Sequence, residues 1–161
     1  PQKKLMVRSV MLRQNLRDSL KKALKAREEG AVSTIRLILA ALKDRDIAAR
    51  TKGQEDGISD SDIYQLFNTM IRQRRESIEL YKSGSRNDLA KKEEEEIEVI
   101  RRFLPTQIDG DEMQAAIEGV IKEIGANTIK DMGRTMSALK EKFSGQMDFS
   151  KASGLVKDIL T

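Results

Sequence analysis

The chain has 161 residues, of which 35% are charged, 39% apolar and 4% aromatic, with no cysteine and no histidine. This excludes a disulfide framework, a thiolate nucleophile, a histidine-based triad and the usual zinc sites. It leaves the core to Leu, Ile, Val, Met and Ala, a mixture suited to helical bundles. The net charge is +4, with 23 Lys and Arg against 17 Asp and Glu over residues 1–104 and 7 against 9 over 105–161, an asymmetry that permits nucleic-acid contact without requiring it.

Residues 1–10 read as a flexible leader, because no h-region or cleavage site follows their two lysines. No apolar run approaches the roughly 20 residues of a membrane span, so the expectation is a soluble, cytoplasmic protein. Helical periodicity then dominates, and no period-2 strand stands out. A first helix is expected over about Leu12 to Glu29, with Leu12, Leu16, Leu20, Ala23 and Leu24 inward and Gly30 as its stop. A second runs from about Ser33 to Ala49 on Ile35, Ile38, Leu39 and Leu42.

The polar stretch "TKGQEDGIS" reads as a loop. Ser59 is placed to cap a third helix carrying Ile63, Leu66, Phe67, Met70, Ile71, Ile78 and Tyr81, which Gly84 ends. Ser85 is expected to cap a fourth helix with Leu89, Ile97, Ile100 and Leu104, stopped by Pro105. Three shorter helices follow: one capped by Asp109 and ended by Gly125, one opened by Asn127 or Thr128, and one capped by Asp148. The predicted fold is therefore all-α. A helical domain of about four helices spans residues 11–104, and a three-helix tail domain spans 105–161.

Arginines cluster in "RQRRES" (72–77) and "IRRF" (100–103). Arg72 and Arg75 suit a phosphate-contacting surface, since the planar guanidinium fork binds phosphate bidentately. The other reading is a solvated helix face balanced by Glu76, Glu79 and Glu93 to Glu98. Arg74 falls on the apolar side of its helix, where an unpaired charge is costly, so a structural pair with Glu94 or Glu96 is expected. Arg36 invites the same reasoning. Asp44 with Asp46, or Glu93 to Glu96, offer carboxylates for Mg²⁺, but surface charge is their simpler use. No P-loop, dinucleotide fingerprint or calcium loop is present. The residues specify no catalytic site and call for no cofactor or metal.

In "IKDMGRTMSALKEKFSGQMD" (129–148), positions 129, 132, 136, 139 and 143 form one apolar face. Gly133, Ser137, Lys140 and Ser144 fall together on its flank. A glycine inside a helix costs about 1 kcal/mol relative to alanine. Here it either admits a neighbouring tail helix or leaves room for an RNA backbone or partner helix, with Lys140, Arg134 and Lys142 as the basic contacts.

Five segments in order resemble the GatB/YqeY family, over about residues 11–161. They are "RRES", Arg86-x-Asp88-Leu89, Leu104-Pro105, Asp131-Met132-Gly133 and Gly145-x-x-Asp148. The chain departs from the family pattern at Arg134, where Lys is usual, and at Ser137, where a second Gly is frequent. It also has Gln146 where a basic residue is common. The resemblance implies an all-α fold of two parts. It also implies kinship with the region of the glutamyl/aspartyl-tRNA amidotransferase B subunit that helps engage tRNA, while chemistry occurs elsewhere.

The expectation is an accessory module that binds tRNA and is no enzyme by itself. A protein adaptor that docks a partner helix on the tail is the alternative. A stand-alone glutamine-dependent amidotransferase, a carbon–nitrogen ligase, is the third reading. DNA and membranes are not expected partners.

Overall fold

A computed structural model describes the backbone of residues 2–161 and the side chains from residue 11 onward. Residues 2–10, expected as part of a flexible leader, are instead the start of α1, because helical backbone continues upstream of Leu12. The protein is all-helical: α1 (Gln2–Lys25), α2 (Glu29–Thr51), α3 (Asp60–Ser83), α4 (Asn87–Arg101), α5 (Gly110–Ile124), α6 (Met132–Lys142) and α7 (Phe149–Leu160). No strand occurs among the described residues. The chain divides into two compact units, Pro1–Phe103 and Leu104–Thr161.

In the first unit α3 and α4 pair as an antiparallel hairpin, α1 pairs with α2, and α2 packs on α4. The apolar spacing of each helix fills one core, in which Leu16, Ile38, Ile63, Phe67 and Ile100 are fully buried. Ser59 caps α3 by accepting a hydrogen bond from the Asp62 N–H at 3.2 Å, which satisfies one of the free donors of the first turn.

Two helix ends differ from expectation. α1 stops at Lys25, and Gly30 lies inside α2. Arg27 turns the chain, with φ +56°: its N–H donates to Leu24 O at 3.2 Å and the Glu28 N–H to Ala23 O at 3.0 Å. After α3 the left-handed residue is Ser85, φ +59°, one position beyond Gly84. Ser85 N–H donates to Lys82 O and Arg86 N–H to Tyr81 O, so Ser85 closes α3 and Arg86 stands at the cap of α4. Both are Schellman closures, built here without glycine at the left-handed site.

The second unit is a three-helix bundle around Met113, Ile117, Leu139, Met147, Ala152 and Val156. Asp109 caps α5 and Asp148 caps α7 through their carboxylates. Gly125 (φ +68°) ends α5. The segment that leads into this unit is tied to the turn before α7. Ile108 N–H donates to Gln146 O at 2.6 Å, and Gln107 Nε2 donates to Gly145 O at 2.7 Å.

Candidate nucleic-acid interface

Ile129–Asp131 forms one turn of 3-10 helix that runs into α6. The Asp131 carboxylate accepts hydrogen bonds from the backbone N–H groups of Asn127 (2.9 Å) and Thr128 (3.3 Å). Those two bonds, aided by Arg134, hold its carboxyl below the ordinary range. Thr135 is fully buried, and its hydroxyl donates to Asp131 O at 2.9 Å. A threonine reads as a surface residue in a helix; this local bond hides its polar atom and lets it face the core. α6 therefore buries Thr135 and Leu139, with Met132, Met136 and Phe143 half-buried, while Ile129 of the expected apolar face is 44% exposed.

The opposite flank of α6 presents Gly133, Ser137 and Lys140, all exposed, at spacings of four and three. Such spacings align on one side of a helix. A Cβ built on Gly133 meets nothing within 4 Å. The neighbouring tail helix thus does not occupy this strip; the bundle packs on the other face. Lys140 has no ion-pair partner among the described residues. The other two basic residues expected here are already engaged. Arg134 donates to Ile124 O at 2.9 Å and to Asp131 Oδ1 at 3.2 Å, bracing the end of α5 against the start of α6. Lys142 lies 3.4 Å from Glu123 and over the Phe143 ring.

In the first unit, Arg74 Nε donates to Glu96 Oε2 at 2.9 Å and lies 4.0 Å from Glu93, while its Nη1 donates to Met70 O. Glu94 does not join this pair: it is one residue off the facing side of α4 and sits 3.4 Å from Lys82. Burial, with the nearby Glu96 charge, raises the Glu93 pKa above its ordinary value. Arg72 is half-buried and Arg75 is exposed. Arg36 is exposed too, because α2 turns that side of itself to solvent, so the pairing argument does not apply to it.

One buried polar cluster has no counterpart in the sequence-based expectations. Arg13 grips Asp46 bidentately, Nη2 to Oδ1 at 2.7 Å and Nε to Oδ2 at 3.2 Å, and Nη2 also donates to Ile58 O at 2.9 Å. The Ile58 N–H returns a bond to Asp46 Oδ1 at 2.9 Å. Asp46 is therefore committed to holding α1, α2 and the loop over residues 52–59 together. Among the described residues no group of three or more acidic side chains is placed to hold a metal ion. The available signal was Gly57 in an otherwise polar loop, since its φ of +82° and its lack of a side chain admit the Asp46 carboxylate.

The basic excess also resolves more finely. Residues 1–52 hold 14 Lys and Arg against 5 Asp and Glu, whereas residues 53–104 hold 9 against 12. The positive field belongs to α1 and α2, and the arginine runs of α3 and α4 sit in a net acidic segment. Arg101 and Arg102 there face Glu98 and Glu28.

Fold and site define a small all-helical protein of two units, with the Arg13–Asp46 and Arg74–Glu96 charges paired inside and an unpaired lysine, Lys140, on one flank of α6. The family model for Yqey-like proteins matches residues 13–160, and the chain belongs to that family. It is similar to the protein named Altered inheritance of mitochondria protein 41, mitochondrial. The identity is 36% over 90 residues with that of Lachancea thermotolerans, covering 56% of this chain and 46% of the relative. It is 32% over 89 residues with that of Saccharomyces cerevisiae, 55% and 46%, and 31% over 90 residues with that of Eremothecium gossypii, 56% and 47%. The chain spans about half the length of the curated relatives it matches. No helix among the described residues is long and apolar enough to cross a membrane.

Proposed function

We propose that this protein is an accessory module that binds tRNA or another structured RNA through its backbone. The observation that carries the reading is the open Gly133–Ser137–Lys140 strip, where no part of the described chain stands against the glycine. A flat strip of small residues beside one uncommitted lysine admits a phosphate backbone closely. The basic α1 and α2 add a long-range attraction for a polyanion. With 4% aromatic residues, recognition by shape and backbone is favoured over base stacking. The relatives are mitochondrial by name, so the compartment proposed is the mitochondrion. A C-terminal fluorescent fusion tests it against the cytoplasm.

Titration of the protein with deacylated and charged tRNA at several salt concentrations tests the function. The binding constant is expected to fall steeply with salt, and Lys140→Glu to weaken binding without unfolding the second unit. No binding at low salt would falsify the reading. A partner helix docked on the same strip is the second reading, favoured by the same open glycine. It predicts a stoichiometric protein partner that survives nuclease treatment. Amidation of misacylated Glu-tRNA by the pure protein with glutamine and ATP would replace both with a catalytic role.

A further inference from the structure

An open groove of about 620 Å³ lies at the turn between α1 and α2. Leu24, Val32 and Leu37 supply its apolar lining, and Arg27, Arg36 and the single carboxylate of Glu29 its charge, a net excess of one cation. Leu24, expected on the inward face of its helix, is 47% exposed, as is Leu37, so two large aliphatic side chains that line one groove remain half uncovered. Neither arginine has an ion-pair partner among the described residues. Arg27 moreover occupies the left-handed position that ends α1, a conformation glycine adopts with less strain.

The groove thus combines an uncovered apolar surface with two arginines that outnumber its one carboxylate, Glu29. It also stands in the most basic part of the molecule: residues 11–52 hold 11 Lys and Arg against 5 Asp and Glu, and of these Arg13 and Asp46 cancel each other. A ligand that complements it must present both carboxylates and aliphatic groups. A nucleic-acid backbone offers the charge but nothing to cover the leucines, and the groove has no aromatic ring on which a base could stack. We infer that this groove docks an acidic amphipathic helix of a protein partner. Its aliphatic anchors, one turn apart, cover Leu24 and Leu37, and its flanking carboxylates meet Arg27 and Arg36.

The test uses the full chain and a fluorescein-labelled synthetic helix of about 18 residues, long enough to hold helical structure. Leucines stand at i, i+3, i+4 and i+7, with glutamates on the flanks. Fluorescence anisotropy is expected to show salt-weakened binding. Arg36→Glu and Leu37→Ser are each expected to lower affinity about tenfold or more, and Lys140→Glu to leave it unchanged. Replacing the peptide's glutamates by lysine, or its leucines by serine, is expected to lower affinity comparably. Both groove variants alter exposed side chains, and far-UV circular dichroism verifies that they fold.

The proposal is overturned if the peptide does not bind at low salt or binds the groove variants as well as the parent. It is equally overturned if the serine peptide binds as well as the leucine peptide. If tRNA or phosphatidylglycerol vesicles displace the peptide and lose their own binding in both groove variants, the groove belongs to that polyanion and the inference is overturned as well.

Discussion

Gly57 and Asp46 occupy one small space. A Cβ on Gly57 would lie 2.6 Å from Asp46 Cγ, closer still to Oδ1, and 3.1 Å from Arg13 Nη2. The glycine therefore makes the Arg13–Asp46–Ile58 clamp possible, and its φ of +82° lets the loop turn into it. Gly57→Ala is expected to destabilise the first unit by about 2–4 kcal/mol, from left-handed strain plus disrupted buried hydrogen bonds. Tyrosine fluorescence in a urea titration reads this unit alone, since the two tyrosines are Tyr64 and Tyr81. In an Asp46→Ala background the same substitution is expected to cost only the strain, about 1–2 kcal/mol.

The clamp also sets an acid limit. Burial by itself raises the Asp46 pKa, but hydrogen bonds from Arg13 and the Ile58 N–H, with the charges of Arg13 and Arg50, bring it below its ordinary value. A carboxylate whose folded pKa is depressed stabilises the fold above its unfolded value of about 3.9. That contribution is lost as pH falls through the folded value. Stability of the first unit is therefore expected to fall below about pH 4, and Asp46→Asn to be less stable at neutral pH with a shallower acid dependence. An unchanged acid profile in this variant contradicts the assignment.

Arg74 is held by Glu96 and lies near Glu93. Glu96→Ala leaves a largely buried guanidinium short of a partner and is expected to cost about 1–3 kcal/mol. Arg74→Met with Glu96→Leu removes both charges and is expected to cost less than the sum of the single changes. Glu93→Gln removes a carboxylate whose pKa is raised by burial and by Glu96. It is therefore expected to be neutral to slightly stabilising at pH 7, measurable as the midpoint of the same urea titration.

Ser85 sits left-handed at φ +59°. Ser85→Gly is expected to stabilise by about 0.5–1 kcal/mol, relief of left-handed strain offset by the larger freedom glycine has in the unfolded chain. Gly84→Ala, at φ −90° and with its nearest neighbour at 3.6 Å, is expected to be tolerated. The opposite ranking of the two positions places the turn one residue earlier.

Gly133 separates a structural role from a binding one. Its absent side chain meets open space, so Gly133→Ala is expected to stabilise α6 by about 0.5–1 kcal/mol through helix propensity. If the strip carries RNA, Gly133→Leu lowers tRNA affinity while the thermal unfolding seen by far-UV circular dichroism stays at or above that of the parent.

Much of this architecture was readable from local pattern. The stripe of α3, the caps at Ser59, Asp109 and Asp148 and the break near Pro105 all depend on residues within a turn or two of each other. The charge roles were not so readable. Arg134 looked like a free cation beside the strip, yet it serves a carbonyl ten positions away; Glu94 and Glu96 looked equivalent, yet a two-residue step on α4 sends one to Lys82 and the other to Arg74. Ile129 left its expected face because the 3-10 turn precedes α6, and Thr135 is buried instead, its hydroxyl satisfied by a local bond to Asp131 O.

The sequence by itself determined the helices, the caps at Ser59, Asp109 and Asp148 and the absence of thiol and imidazole chemistry, because helical periodicity, capping and composition act over a few residues. Only the tertiary structure decided which charges are spent and which remain. The Arg13–Asp46 clamp spans 33 positions and the Arg74–Glu96 pair 22. Such pairings follow from the register at which packed helices meet, which is set by the shape of the whole core rather than by any local pattern.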